Sequence, residues 1–383
     1  MKNKIYIQGG TVYNADGAPI RQPLITVNSG IIEQITEGGE PPEGADVLRL
    51  DGDDVILPGF IDIHIHGSHG ADVMDATPEA LATISRSITN EGVTSFLATT
   101  ITAPAASIEE ALQQVASSEG TDGARCLGVH LEGPFINAKQ AGAQPVGAIL
   151  DPDAGQFKHW QALSGNQIRI ATIAPERPGG AELVQALADS GVIGSIGHSD
   201  ASSADVRAAE QDGLRHATHL FNGMRGLHHR EAGVVGGVML SDNLKAELIL
   251  DHVHVSPDAA RVAYQALGAN RLMLITDAMR GKGLGDGVFD LGGQEVTIEG
   301  KEARLKNGAL AGSVLTMDEA VRNARSTFNA SWHDIARMTS YNQAESLGLT
   351  GTKGTIQTGA DADLTVMSRT GFIKHTIIGG EKP

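Results

Sequence analysis

The run Ile63-His64-Ile65-His66-Gly67 places two imidazoles two residues apart at the end of an apolar stretch. If that stretch is a strand, both rings leave the same face and can share one cation, because alternate strand residues project together and imidazole readily binds divalent metals. A lone histidine there would more often be a core or surface residue, so the paired spacing is what points to chelation. Further ligand types follow at long intervals: Glu132 in GVHLEGPF, His198 in SIGHSD and His219 in ATHLFNGM. Glu132 could bridge a His64/His66 site to a His198/His219 site. Taken singly, Glu132 could cap backbone amides and His198 could open a helix. Asp277, in LMLITDAM, ends another apolar run. A carboxylate beside such a centre can take a proton from an attacking water and return it to a leaving amine, its plain alternative being a loop cap.

These residues need a scaffold that brings distant strand ends together. From Val55 onward, VILPGFIDIHIHG, VTSFLATT, CLGVHLE, IRIATIAPE, VIGSIGHS, LRHATHLFN, AELILDHVH and RLMLITDA read as strands, with helical patterns at 77–91 and 105–119 and near Glu182, Asp205 and Pro257. About eight strands in βα alternation is the count that closes a parallel barrel. An open doubly wound sheet has the same periodicity. However, His64, His66, Glu132, Glu176, His198, His219, His254 and Asp277 all fall at or just beyond strand ends, where barrel active sites are built. The expected fold is therefore α/β, a (β/α)8 TIM-type barrel over residues 55–348. Residues 1–54 and 349–383 hold short β runs between turn residues and are expected to pair as one small β-sandwich domain. VFDLGGQEVTIEGKEARLKNGALAGS reads as an inserted β-hairpin, followed by helices at 317–328 and 332–347.

Composition excludes several classes of function. A net charge of -17 opposes general affinity for nucleic acid or an anionic membrane surface. It leaves room for a small phosphorylated ligand, which needs only a local cluster of donors. No apolar run reaches the roughly eighteen residues of a spanning helix. The single cysteine, Cys126, cannot form an intrachain disulfide, and the first residues lack a secretory apolar run, so the expected location is the cytoplasm.

The motifs PGFIDIHIHG, HLEGPF, GHSDA, THLFNGM and ITDAM, in that order, resemble the N-acetylglucosamine-6-phosphate deacetylase family of the amidohydrolase superfamily. The resemblance extends over nearly the whole chain, to the closing GTIQTGADADLTVM. It implies a metal-bearing barrel with a terminal β-sandwich, in which Glu132, His198 and His219 hold the principal divalent metal and Asp277 is the catalytic acid and base. His64 and His66 are retained as in binuclear members, so one or two ions per subunit are expected. Zinc is foremost, and iron, manganese or cobalt suit the same ligands. The resemblance also places Ala143, Gln144, Asn222, Gly223, Asp251, His252, Val253, His254, Leu310, Ala311 and Gly312 around a phosphorylated amino sugar. Some relatives carry histidine where this chain has Gln144. Arg230 matches a phosphate-binding arginine that similar enzymes supply across a homodimer interface. Read without the resemblance, Asn222-Gly223 is an ordinary turn pair and Arg230 a solvated charge. The implied activity is hydrolysis of N-acetylglucosamine 6-phosphate to glucosamine 6-phosphate and acetate. Its rivals are the galacto epimer, a cyclic amide or other N-acyl compound, and a non-catalytic sugar-sensing barrel.

Overall fold

A computed structural model describes residues 4–118, 120 and 122–383. Eight parallel strands pair in chain order: β1 Phe60–Ile65, β2 Val93–Thr100, β3 Arg125–Glu132, β4 Ile168–Ile173, β5 Ile193–Ile196, β6 His216–Ala217, β7 Lys245–Ile249 and β8 Leu272–Ile275. β8 returns to β1, and the seam is sealed by the Asp277 N–H donating to His64 O at 2.8 Å and the His66 N–H donating to Ala278 O at 2.9 Å. Lower in the same seam the Thr276 hydroxyl donates to buried Asp62 at 2.6 Å. Closure of the barrel thus sets His64, His66 and Asp277 side by side, although more than two hundred residues of chain separate them. The fold is the expected (β/α)8 barrel.

The barrel is held by apolar packing between strand faces and the surrounding helices, in one cluster that includes Ile63, Leu97, Val129, Ile170, Ile196 and Leu274. Full burial of such side chains stabilises by about 1.5–3 kcal/mol each. Helix ends follow local chemistry. Thr77 caps the helix Pro78–Ser87 with proline in its first turn, and a Ser202–Asp205 capping box opens Ser203–Asp212. The helix expected at 105–119 runs Ala105–Ser117, and Glu119 lies outside the described residues. No helix among the described residues is long and apolar enough to cross a membrane.

The chain ends build two further sheets. A four-stranded sheet joins Ile31–Glu37, Pro23–Asn28, Ile5–Gln8 and Asp46–Arg49, and a five-stranded one joins Ile373–Ile377, Leu364–Met367, Val55–Pro58, Thr11–Val12 and Ile20–Arg21. Ile7, Ile25 and Ile32 of the first meet Ile56, Leu364 and Val366 of the second in a separate core. Val55–Pro58, at the expected start of the barrel body, pairs within this terminal sheet instead, and the barrel begins at Phe60. Alternation explains the double role. Ile56 faces the terminal core, while Val55 and Leu57 pack into the barrel cluster. The inserted segment is larger than a hairpin: Gly287–Leu291, Gln294–Glu299 and Glu302–Leu305 form a three-stranded antiparallel sheet.

Candidate active site

The carboxyl ends of the strands surround a cavity of about 370 Å³, whose walls include His66, Glu132, His198, His219, His254 and Asp277. Here the barrel backbone leaves its regular course. His198, His219 and Asp277 all have positive φ, at 47°, 30° and 49°. Such non-glycine conformations cost about 1–3 kcal/mol each and are concentrated at functional sites. They end the strands and swing the three side chains into the mouth. The same turn explains why β6 has only two residues where LRHATHLFN reads as a long strand, since Phe221 also lies at φ 82°.

Two groups of buried donors converge. In the first, Glu132 Oε1 lies 3.2 Å from His198 Nε2 and 2.9 Å from His219 Nε2. His198 Nδ1 donates to Gln140 O at 2.9 Å and His219 Nδ1 to Asn222 O at 3.1 Å, so both Nε2 atoms offer lone pairs. In the second, His66 Nε2 and His64 Nε2 lie 3.3 and 3.5 Å from Asp277 Oδ1. Glu132 joins the two groups, its Oε2 standing 3.3 Å from His66 Nε2. His66 Nδ1 donates to Thr99 O at 3.2 Å, and His64 Nδ1 to Glu247 Oε2 at 2.9 Å. His64 Nε2 has no hydrogen-bond partner although it is buried. Bare imidazole nitrogens converging on carboxylates are a donor set for divalent cations, and both triads, Glu132/His198/His219 and His64/His66/Asp277, keep their ligand atoms within 4.8 Å of one another. The residues fit one or two metals.

Electrostatics agree. Burial pulls the His66 imidazole down, but Asp277 and Glu132 more than offset it and hold it up at about 10. Burial likewise pushes Glu132 and Asp277 up, yet the neighbouring imidazoles win, leaving Glu132 well below the usual carboxylate range and Asp277 at about 2. The site favours positive charge, from imidazolium protons or from a cation. The depression at Asp277 has its source in charge on His64 and His66, and it ends when those rings are neutral, as ligands must be.

A third group, His64, His130 and Glu247, also brings donors close but lies beneath the cavity. His130 spends both ring nitrogens, on Ile63 O at 2.9 Å and Thr172 Oγ1 at 2.7 Å. Burial first, then His64, pushes it down to about 4.

Of the residues expected around a sugar, Ala143, Gln144, Asn222, Gly223, His254, Leu310 and Gly312 line the cavity. Gln144 is fixed at both ends, accepting from the Thr102 N–H at 2.8 Å and donating to Glu132 Oε2 at 2.7 Å. Asn222-Gly223 is more than a turn pair: a Cβ on Gly223 would stand 2.7 Å from His198 Nδ1. Asp251 sits behind the wall, accepting from His254 Nδ1 at 2.6 Å and from the Val253 and His254 N–H groups at 2.8 Å. His252 turns away to Thr327 Oγ1 at 2.9 Å, and Ala311 is buried in the core of the inserted sheet. Arg230 is exposed and bonded to neighbouring His229 at 2.9 Å, outside the cavity wall of its own chain. Glu176 serves as a clamp behind His198, accepting from Asn137, Ser199 and the Asp200 N–H at 2.7–2.8 Å. Sequence reasoning missed Glu247 and Arg304, which lines the cavity from the inserted sheet. A glutamate inside the apolar AELIL run is the signal that could have found the first.

The sequence pattern of the amidohydrolase family matches residues 55–382. The chain is 46% identical to the N-acetylglucosamine-6-phosphate deacetylase of Lysinibacillus sphaericus over 98% of this chain and 97% of that one. It is 45% identical to the Bacillus subtilis enzyme of the same name over 94% and 92%. A solved N-acetyl-D-glucosamine-6-phosphate deacetylase from Mycobacterium smegmatis, an aspartate-to-alanine variant in complex with N-acetyl-D-glucosamine 6-phosphate, superposes with a TM-score of 0.92 at 29% identity over 99% of each chain. Sequence, barrel and donor set lead to one conclusion: this chain belongs to the amidohydrolase family.

Proposed function

We propose that this protein hydrolyses N-acetyl-D-glucosamine 6-phosphate to D-glucosamine 6-phosphate and acetate. The observation that carries the reading is the convergence of Glu132, His198 and His219 beside His64, His66 and Asp277 in one cavity. Similarity to deacetylases over almost the whole chain supports the substrate. Glu132, His198 and His219 would hold the principal metal, and His64, His66 and Asp277 a second, with zinc the foremost candidate. A divalent cation there supplies Lewis-acid polarisation of the acetamide carbonyl and lowers the pKa of water.

The chain's own groups do the rest. Asp277, at the mouth, accepts the proton of the attacking water as its oxygen bonds to the acetamide carbon. His254 lines the cavity with its Nδ1 donating to Asp251, which leaves Nε2 a lone pair to accept from a hydroxyl of the sugar. When the C–N bond breaks, Asp277 returns its proton to the departing nitrogen, leaving amine and acetate. Asn222, Gly223 and the 310–312 segment wall the sugar. Gly312 has a φ of 60°, and a Cβ there would stand 3.1 Å from Met279 Cβ and 3.2 Å from the main-chain oxygen of Asp277, so a side chain would crowd the backbone that carries the base. Arg230 would bind the phosphate of a neighbouring subunit in a homodimer, which accords with its exposure on its own chain. The terminal segments would form one small domain carrying the catalytic body of about residues 60–348. The test is acetate release by purified, metal-analysed protein. N-acetylglucosamine 6-phosphate should turn over faster than its galacto epimer and than either unphosphorylated sugar, while equal rates on all would refute phosphate recognition.

A further inference from the structure

Each of the four histidines of the two donor groups, His64, His66, His198 and His219, spends its Nδ1 proton on a partner, and one partner differs in kind. His66, His198 and His219 donate to backbone carbonyls, of Thr99, Gln140 and Asn222. His64 alone donates to a carboxylate, Glu247, at 2.9 Å. Glu247 is fully buried on β7, and the same Oε2 accepts the His219 N–H at 3.2 Å. Its main-chain carbonyl accepts the Leu220 N–H at 2.8 Å. One residue therefore grips both donor groups: the ring of His64 in one, and in the other the backbone at His219, where φ is 30°. The carboxylate is not in the cavity wall and cannot touch substrate.

A buried carboxylate is disfavoured unless hydrogen-bonded donors or a nearby positive charge compensate it. Here the compensation comes through the ligand residues. An anionic acceptor on the far nitrogen of an imidazole fixes its tautomer and orientation and makes the near nitrogen a stronger donor. We propose that Glu247 is the positioning residue of the centre, committing His64 to ligate through Nε2 and setting how tightly the His64/His66/Asp277 half binds its metal. This rests on the metal-dependent reading above. The difference between a carboxylate and a carbonyl partner then separates the two halves: Glu247 charge strengthens the second without being a ligand of either.

Co²⁺ titration of the metal-free protein, followed by visible absorption and by bound-metal analysis, reads the two binding steps separately. Glu247→Gln keeps an acceptor for His64 and His219 and removes the charge. Its weaker step is expected to lose about 10–100-fold in affinity, the usual cost of altering such a partner, with the tighter step unchanged. Glu247→Leu is expected to retain one Co²⁺ with an unaltered far-ultraviolet circular dichroism spectrum. Two unchanged steps in Glu247→Gln, or equal weakening of both, overturn the proposal. A wild-type protein binding a single Co²⁺ overturns it too while leaving the metal-dependent reading intact, whereas a wild-type protein binding none overturns both.

Discussion

His198 Nε2 and His219 Nε2 stand 3.1 Å apart, and both face Glu132 Oε1. Because each ring gives its other proton to a backbone carbonyl, two lone pairs would confront each other unless something positive lies between them. Removing either ring dismantles that arrangement. His198→Ala and His219→Ala are expected to lose the principal metal together with activity, which elemental analysis of the purified variants will show. Full metal retention in both would refute the ligand assignment.

Asp277 shares the second donor group, and the proposed mechanism gives it the proton relay as well. Asp277→Asn keeps the shape and removes the acceptor, so kcat should fall by at least ~100-fold while metal stays at Glu132, His198 and His219. Near-normal turnover would place the base elsewhere. Glu132→Gln separates the two carboxylates, because it should lose metal as well as rate.

Much of this site was legible in the sequence for a simple reason. Two-residue alternation on a strand is strict, so His64 and His66 had to share a face, and Glu132, His198, His219 and Asp277 fell at the ends of apolar runs. What stayed hidden depends on backbone geometry and on partners from distant strands. The positive φ values at His198, His219 and Asp277 have no local sequence mark, and β6 was overestimated for that reason. Glu247 meets His64 only because β7 and β1 line the same barrel interior. His252, two residues from His254 of the wall, points to Thr327, which sequence proximity could not show. The terminal sandwich was readable from turn residues, but the sharing of Val55–Pro58 between two cores was not.

Arg230 carries the phosphate and dimer claims together. Arg230→Ala should lower kcat/KM for the phosphorylated sugar by roughly 10–100-fold and leave unphosphorylated substrate nearly unaffected. A mixed dimer of Arg230→Ala and Asp277→Asn subunits holds one site with both groups intact and should regain activity. No recovery in a verified heterodimer would reject action across the interface.

His216, at the foot of β6, reports on acid stability. Burial first, and Lys245 and His130 beyond that, hold it down at about 3, and its Nε2 meets Ser346 Oγ at 2.9 Å. The unfolded chain, with an ordinary value of 6.5, binds the proton more readily, so stability is full above that pH and falls as pH drops from 6.5 toward about 3. His216→Asn should make the fall shallower by up to about 1.4 kcal/mol per pH unit, read from urea midpoints at pH 7, 6 and 5. Parallel curves for variant and wild type would contradict the buried neutral state.

Acetate production from N-acetylglucosamine 6-phosphate by protein of known metal content decides whether this cavity is a deacetylase site. Sustained turnover to equimolar acetate and glucosamine 6-phosphate is expected, abolished by chelation and restored by a divalent metal. Metal-loaded, folded protein that binds this sugar phosphate and releases no acetate would contradict it.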